Sequence, residues 1–155
     1  MRASQCYLGI PNAIVLCIDT CEPDLMGRKY DVWHQDAETF ESGMEMLLKM
    51  EQLYNDLRFP FPGNNERLFV SKGNEEMKEK PKKVLEDDEV LEQHGDLGTF
   101  IVRVQHRQNS SWQGRLTWVE ENKTVYFRSV WELMKLVNDA LNHSKQSEND
   151  PDWDE

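Results

Sequence analysis

The chain has 155 residues, a formal net charge of −11 and an apolar share of 38%. This length suits one domain with a substantial core, while the low apolar share predicts that part of the chain stays unpacked. No apolar run reaches the roughly 18–20 residues that span a bilayer. The acidic balance argues against nucleic acid as a partner, because nucleic-acid binders carry a basic footprint. The N-terminal pattern is not that of a signal peptide, so we expect a cytoplasmic protein that does not contact a membrane.

The first predicted unit covers residues 1–59. The apolar run Ile14–Ile18 is typical of a strand buried on both faces, and Arg28–His34 is a second run rich in Tyr, Val and Trp. Ser42, followed three residues later by Glu45, is a capping-box pattern, after which apolar residues recur at helical spacing. The unit is therefore predicted to contain two strands followed by a helix.

Residues 60–97 are predicted to form a charged linker between two units. Within it, Arg67–Ser71 has the composition of a short strand and Val84–His94 that of a short helix. The acidic run Glu86–Glu89 would lie on the solvent side of that helix.

The second predicted unit covers residues 98–144. Apolar and polar residues alternate over Phe100–Gln105, which is typical of a half-buried strand, and Arg115–Val119 follows a turn as the next strand. Ser129 then begins a second capping-box pattern and a second apolar stripe at helical spacing. Residues 145–155 are acidic and without pattern, so we predict a disordered tail.

The two units match without a gap when residues 87 positions apart are compared, as with Gly27 and Gly114. One unit of about 45 residues cannot bury a sufficient core alone. We therefore predict an α+β fold of two tandem ββα repeats, which form one antiparallel sheet of four or more strands with two helices packed on one face. The residues that mark the repeat are Gly27, Arg28, Phe40, Ser42, Glu45, Gly114, Phe127, Ser129 and Glu132.

Four segments carry distinctive motifs: Ser110–Trp118 (SSWQGRLTW), Tyr126–Leu133 (YFRSVWEL), Met26–Tyr30 (MGRKY) and Met50–Pro60 (MEQLYNDLRFP). Together they resemble a family of short uncharacterised bacterial proteins. The resemblance covers both units, but neither the linker nor the tail. It implies an architecture and no established activity.

Alternation along the second unit predicts which of its side chains share the outer face of the sheet. If the large apolar residues face the helices, the polar residues between them point outwards. Guanidinium groups on an open face could receive phosphate or carboxylate. The alternative is a solvated face, or one paired with the protein's own carboxylates. The predicted ligand-binding residues are Arg103, Gln105, Arg107, Arg115 and the turn residue Trp112.

The sequence contains no motif typical of an enzyme. The four histidines show no metal-ligand spacing, and there is neither a phosphate-binding glycine loop nor a nucleophile elbow. We therefore expect no catalytic residue, no cofactor and no metal. Cys17 and Cys21 would lie about 13 Å apart on one strand, too far for a disulfide.

These patterns favour a small non-enzymatic interaction or regulatory protein that acts through the open sheet face and the edge strands. The partner would be an unknown protein or a second copy of the chain, since an open sheet edge favours a homodimer. One alternative is a binder of a nucleotide or another anion through Arg103, Arg107 and Arg115. The other is an acidic inhibitor that mimics nucleic acid through Glu86–Glu89 and the tail.

Overall fold

The described part of the chain forms one antiparallel sheet of six strands with three α-helices. The computed structural model describes residues 7–61, residue 69 and residues 81–149. The strands are β1 (Ile14–Thr20), β2 (Met26–Tyr30), β3 (Glu38–Phe40), β4 (Gly98–His106), β5 (Gln113–Trp118) and β6 (Lys123–Phe127). The helices are α1 (Gly43–Leu57), α2 (Asp87–Leu91) and α3 (Val130–Asn149), and Val119–Glu121 form one turn of 3₁₀ helix.

The strand order is β3-β2-β1-β4-β5-β6, so that β1 and β4 meet at the centre. They pair over five residues, with Leu16 opposite Phe100. Each half contributes three strands followed by a long helix within the described residues, whereas the predicted ββα unit has only two strands. The strand missed in the first half, β3, has three residues, too few for alternation to signal a strand.

One core lies between the sheet and the two long helices. Side chains of α1 and α3 pack against alternate residues of the central strands, so both helices cover the same face. The helical stripes have the spacing that the sequence predicts, because every third or fourth residue of a helix lies on one side. The buried residues of these stripes are Met46, Met50, Leu53, Leu57, Leu133, Val137, Ala140 and Leu141.

Both helices begin at the predicted serines. The Ser42 hydroxyl accepts a hydrogen bond from the Glu45 amide at 3.0 Å, and the Ser129 hydroxyl accepts one from the Glu132 amide at 3.1 Å. These contacts satisfy one amide at each helix start, where no carbonyl of the helix itself is available.

A second, smaller core covers the opposite face of the sheet. Here Leu8 of the N-terminal segment and Val90 of α2 pack against Val15 and Cys17 of β1. The backbone amides of residues 84 and 85 donate to the Val32 carbonyl at 2.7 and 3.1 Å. The described part of the predicted linker is therefore a cover for the first half of the sheet. The predicted strand at residues 67–71 falls, apart from residue 69, outside the described residues.

The ends of β2 and α3 differ from the predicted boundaries. Strand β2 ends at Tyr30 instead of His34, because the Asp31 carboxylate accepts a hydrogen bond from the Trp33 amide at 2.9 Å and so favours a turn. Helix α3 continues to Asn149, five residues into the segment predicted to be disordered. Extending a helix that has already formed requires only the favourable propagation step.

Strands β1 and β4 are the first strands of the two halves. Their equivalent residues are 86 positions apart, not 87. Gly27 lies opposite Ile18, and Gly114 lies opposite Val104, so the partners are 104 − 18 = 86 residues apart. A slip of one residue moves every side chain of a strand to the other face. A spacing of 87 residues would place Ile14 on the face of Arg103, whereas Ile14 packs beneath the helices.

Gly27 and Gly114 lie where two backbones approach closely. Next to each glycine, the neighbouring strand shifts register, after Ile18 in β1 and after Val104 in β4. A Cβ atom would lie 2.0 Å from the Cys17 carbonyl oxygen at Gly27, and 2.0 Å from the Arg103 carbonyl oxygen at Gly114. A side chain at either position would therefore force two paired strands apart.

Among the described residues, no helix combines the length and the apolar character that crossing a membrane requires.

We expect Gly114→Ala to lower the free energy of unfolding by about 3 kcal/mol, at the upper end of the range for overpacking. Gly43→Ala is the control, because the atom nearest to its Cβ would be the flexible end of Met134 at 3.1 Å, and no backbone atom lies as close as at Gly114. Urea denaturation of both variants measures the difference. Equal stability of the two variants would contradict the close approach of β4 and β5.

Candidate functional site

The structure does not bring the predicted arginines together on an open face. Arg103 is buried beneath the N-terminal segment. Its Nε donates to the Leu8 carbonyl at 2.7 Å, and one of its terminal nitrogens donates to the Tyr7 carbonyl. The other terminal nitrogen donates to the Thr117 hydroxyl at 2.8 Å. Each nitrogen of this guanidinium therefore has a partner within the protein.

Arg107 lies on the helix side of the sheet, away from Arg103. The register shift between Val104 and His106 interrupts the alternation that placed both arginines outwards. The Arg107 Nε donates to the Pro60 carbonyl at 2.6 Å, and a terminal nitrogen donates to the Asn55 side-chain oxygen at 2.7 Å. Arg107 thus ties the end of β4 to the end of α1.

Trp112 belongs to the main core and offers no exposed ring for stacking. It packs edge-on against Tyr54, with 5.2 Å between the ring centroids. Burial raises the pKa of the Tyr54 phenol far above its ordinary value, so this group stays protonated. Gln105 lies half-buried at the register shift of β4. The structure therefore does not bring Arg103, Arg107 and Trp112 together at one site.

Arg115 is the predicted site arginine that remains near solvent. It lies half-buried on β5, opposite Tyr126 of β6, whose side chain is 72% exposed. The Arg115 Nε is buried and has no hydrogen-bond partner in the described structure. A buried donor without a partner costs free energy.

The two edges of the sheet differ. At the β3 edge, which is only three residues long, Lys49 of α1 donates a hydrogen bond to the Thr39 carbonyl. This contact occupies a backbone group of the edge strand. Short strands and lysine side chains are devices by which proteins prevent further strands from adding at an edge.

The β6 edge is longer and more regular. Five residues of β6 pair with β5 without a register shift, from Gly114 opposite Phe127 to Trp118 opposite Lys123. Four of these β6 residues are exposed, and the strand contains no proline. An edge strand of this kind presents a row of unpaired N–H and C=O groups to solvent.

Four charged or titratable residues cluster beside the edge strand β3. The Lys29 ammonium is fully buried and donates to Asp31 at 2.6 Å and to Glu38 at 2.7 Å. The Nδ1 atom of His34 lies 2.9 Å from an Asp31 oxygen. Sequence reasoning missed this cluster, because the spacing of these residues signals a contact only after the turn that follows β2 is known.

The donor atoms of Asp31, His34 and Glu38 lie within 4.8 Å of one another, as in a metal site. However, the Lys29 ammonium lies in hydrogen-bond contact with both carboxylates. It already supplies the positive charge that these carboxylates need, so a divalent cation would have to displace it. The cluster is best described as a buried ion-pair network that fixes the turn after β2.

Both described cysteines, Cys17 and Cys21, are free thiols. Burial raises the pKa of the Cys17 thiol to about 12. A thiol with this pKa is almost entirely protonated at neutral pH and is a poor nucleophile.

Comparisons with known proteins assign no relative to the chain. No protein-family model matches it, and neither does a curated protein or a solved structure. The resemblance to short bacterial proteins therefore stays a prediction, and the function is inferred from the geometry of the fold.

We expect Lys29→Met to lower the free energy of unfolding by about 3–5 kcal/mol, because it leaves the buried Asp31 carboxylate without its cation. Glu38→Gln should cost about 1 kcal/mol, since Glu38 is partly exposed and Asp31 still pairs with Lys29. Chemical denaturation at neutral pH measures both changes. A Lys29→Met variant as stable as Glu38→Gln would show that the network contributes little.

Proposed function

We propose that the chain is a non-enzymatic interaction protein of the cytoplasm whose β6 edge pairs with a β-strand of a protein partner. The observation that carries this proposal is the contrast between the two edges of the sheet. Lys49 occupies a carbonyl of the short β3 edge, whereas β6 offers five regular residues. The free thiols of Cys17 and Cys21 fit a reducing compartment.

Strand addition at an edge derives its affinity from main-chain hydrogen bonds and its specificity from side chains on the two faces. On β6, Val125 lies opposite the core residue Leu116, and Tyr126 lies opposite Arg115. Successive side chains of a strand point to opposite faces. A strand paired with β6 would therefore contact Val125 on the helix side and Tyr126 on the outer side.

The polar groups inside the fold also favour a non-enzymatic role. Lys29, Arg103 and Arg107 are the buried cations of the described chain, and each is hydrogen-bonded to this protein's own atoms. Catalytic groups act by contacting a substrate. Cations that are already held by structural partners are not arranged for that purpose.

A photo-crosslinking amino acid at Val125 should capture a partner in the native cell, because this residue lies on the open edge and is 44% exposed. The same amino acid at Leu48, which is 58% exposed on α1, is the matched control. Mass spectrometry of the adducts identifies the partner. A specific adduct at Val125 and none at Leu48 is the expected result. Equal capture at both positions, or none at Val125, would contradict the proposal.

A second candidate function is the binding of an anion by Arg115. It is supported by the position of Arg115, which is half-buried on β5 opposite the exposed Tyr126. Guanidinium groups bind phosphate and carboxylate in a fixed, two-pronged geometry. Arg103 and Arg107 do not contribute to this candidate, because their nitrogens bind internal acceptors.

We expect Arg115→Met to abolish any binding of inorganic phosphate or mononucleotides that titration calorimetry detects. Arg28→Met is the control, because Arg28 pairs with Asp19 at 3.2 Å and is not available to an added anion. Equal affinity of the two variants for these anions would exclude Arg115 as the binding residue.

The acidic-inhibitor hypothesis also stays a prediction. The four acidic residues Glu86–Glu89 are exposed at the start of α2, as a surface that mimics phosphates requires. Part of that charge is neutralised, because Lys83 pairs with Asp87 at 3.0 Å. This hypothesis is weaker than strand addition for that reason.

We also infer that the two halves are tandem repeats of one βββα unit. The inference is supported by the same order of three strands and a helix in each half, and by a register shift opposite Gly27 and Gly114. The charged network of the first half would then be an addition to a shared scaffold. The second half has Leu116 and Trp118 at the positions of Lys29 and Asp31.

A further inference from the structure

We propose that the strand which pairs with β6 is β6 of a second copy of this chain, in antiparallel orientation. This inference rests on the proposed function and names its partner. The result would be a continuous sheet with six strands from each copy and with the long helices of both copies on the same side. Isologous pairing of this kind covers the β6 edge of each copy at once.

The distribution of charge along β6 favours the antiparallel orientation. Glu120 and Glu121 lie in the turn before β6, and Arg128 follows its last residue. In an antiparallel pair, the acidic end of each strand lies beside the basic end of the other. A parallel pair would place the two acidic turns together, which is unfavourable for like charges.

Arg128 is able to form an ion pair with the acidic turn of the partner subunit. Its side chain is 86% exposed, and its Nε and Nη2 atoms donate to Glu132 of the same copy. The Nη1 group forms no hydrogen bond in the described structure. A guanidinium has five donor hydrogens, so Arg128 can keep Glu132 and also receive Glu121 of the partner subunit.

The side chains of β6 are self-complementary when the two-fold axis passes through Val125. Each Val125 then lies opposite Val125 of the partner subunit, and each Tyr126 lies opposite Thr124 of the partner subunit. Lys123 lies opposite Phe127 of the partner subunit, so no like charges face each other. Pairs of aromatic and β-branched residues are among the favourable cross-strand pairs, and this register forms two of them.

The contact is small. Five residues on each side bury less surface than the roughly 1,200–2,000 Å² of a stable interface. Dimers that exchange with monomers at micromolar concentrations are therefore expected. Sedimentation equilibrium of the full chain should show a mass that rises from 18.3 kDa towards twice this value as concentration increases.

Two charge variants at Val125 test the register. Val125→Glu places two carboxylates across the two-fold axis, and Val125→Lys places two ammonium groups there. We expect each variant to dimerise at least about tenfold more weakly than the wild type, since directly opposed like charges repel. An equimolar mixture of the two variants should recover the dimer, because Glu then faces Lys. Circular dichroism melting confirms that both variants fold.

Neither a change in folding nor binding to another protein would restore the dimer in the mixture. Only a homodimer brings position 125 of one copy opposite position 125 of the other. A wild type that stays at 18.3 kDa at every concentration overturns the inference. So does a mixture that stays monomeric, or a single variant that dimerises like the wild type. A monomeric wild type that still forms a specific adduct with another protein at Val125 would leave the proposed function standing and remove only the second copy as its partner.

Discussion

The pairing of β1 with β4 is the interaction on which the rest of the structure depends. It joins the two halves over five residue pairs at the centre of the sheet, from Ile14 opposite Val102 to Ile18 opposite Gly98. The core beneath α1 and α3 becomes continuous only because these strands are adjacent. The same pairing leaves β3 and β6 as the two edges, because each is the third strand of its half. The surfaces available to a partner are therefore a consequence of the central pair.

Buried charge in this fold serves structure. Lys29 holds the turn after β2, Arg103 holds the N-terminal segment, and Arg107 holds the end of α1. Each satisfies carbonyl or carboxylate oxygens that would otherwise be buried without a donor, which is costly. Among the described groups of the second half, the edge of β6 and the half-buried guanidinium of Arg115 beside it are available to an external partner. An external partner would therefore bind groups that are not already held by hydrogen bonds within the protein.

The sequence predicts the elements that depend on local pattern and fails where contacts between distant residues decide. Helical spacing and the serine caps place α1 and α3 correctly, because these signals lie within a few residues of one another. The prediction of side-chain faces from alternation fails along β4, because the register shift after Val104 turns Arg107 to the helix side. A single spacing of 87 residues fails for a similar reason. Equivalent residues of β1 and β4 are 86 positions apart, one fewer than for the rest of the two halves. The network around Lys29 depends on a turn and an ion pair, for which no periodic signal exists.

The central claim is that β6 is an edge strand which β6 of a second copy of the chain completes. Residue-resolved amide hydrogen exchange tests it most directly, by comparing dilute protein with protein concentrated above the expected micromolar dissociation range. In dilute protein, the outward-pointing amides of Lys123–Phe127 should exchange rapidly while the amides bonded to β5 stay protected. At high concentration, the outward-pointing amides should become protected as well, and those of the buried strand β1 should not change. Rapid exchange of the outward-pointing β6 amides at every concentration would contradict the account.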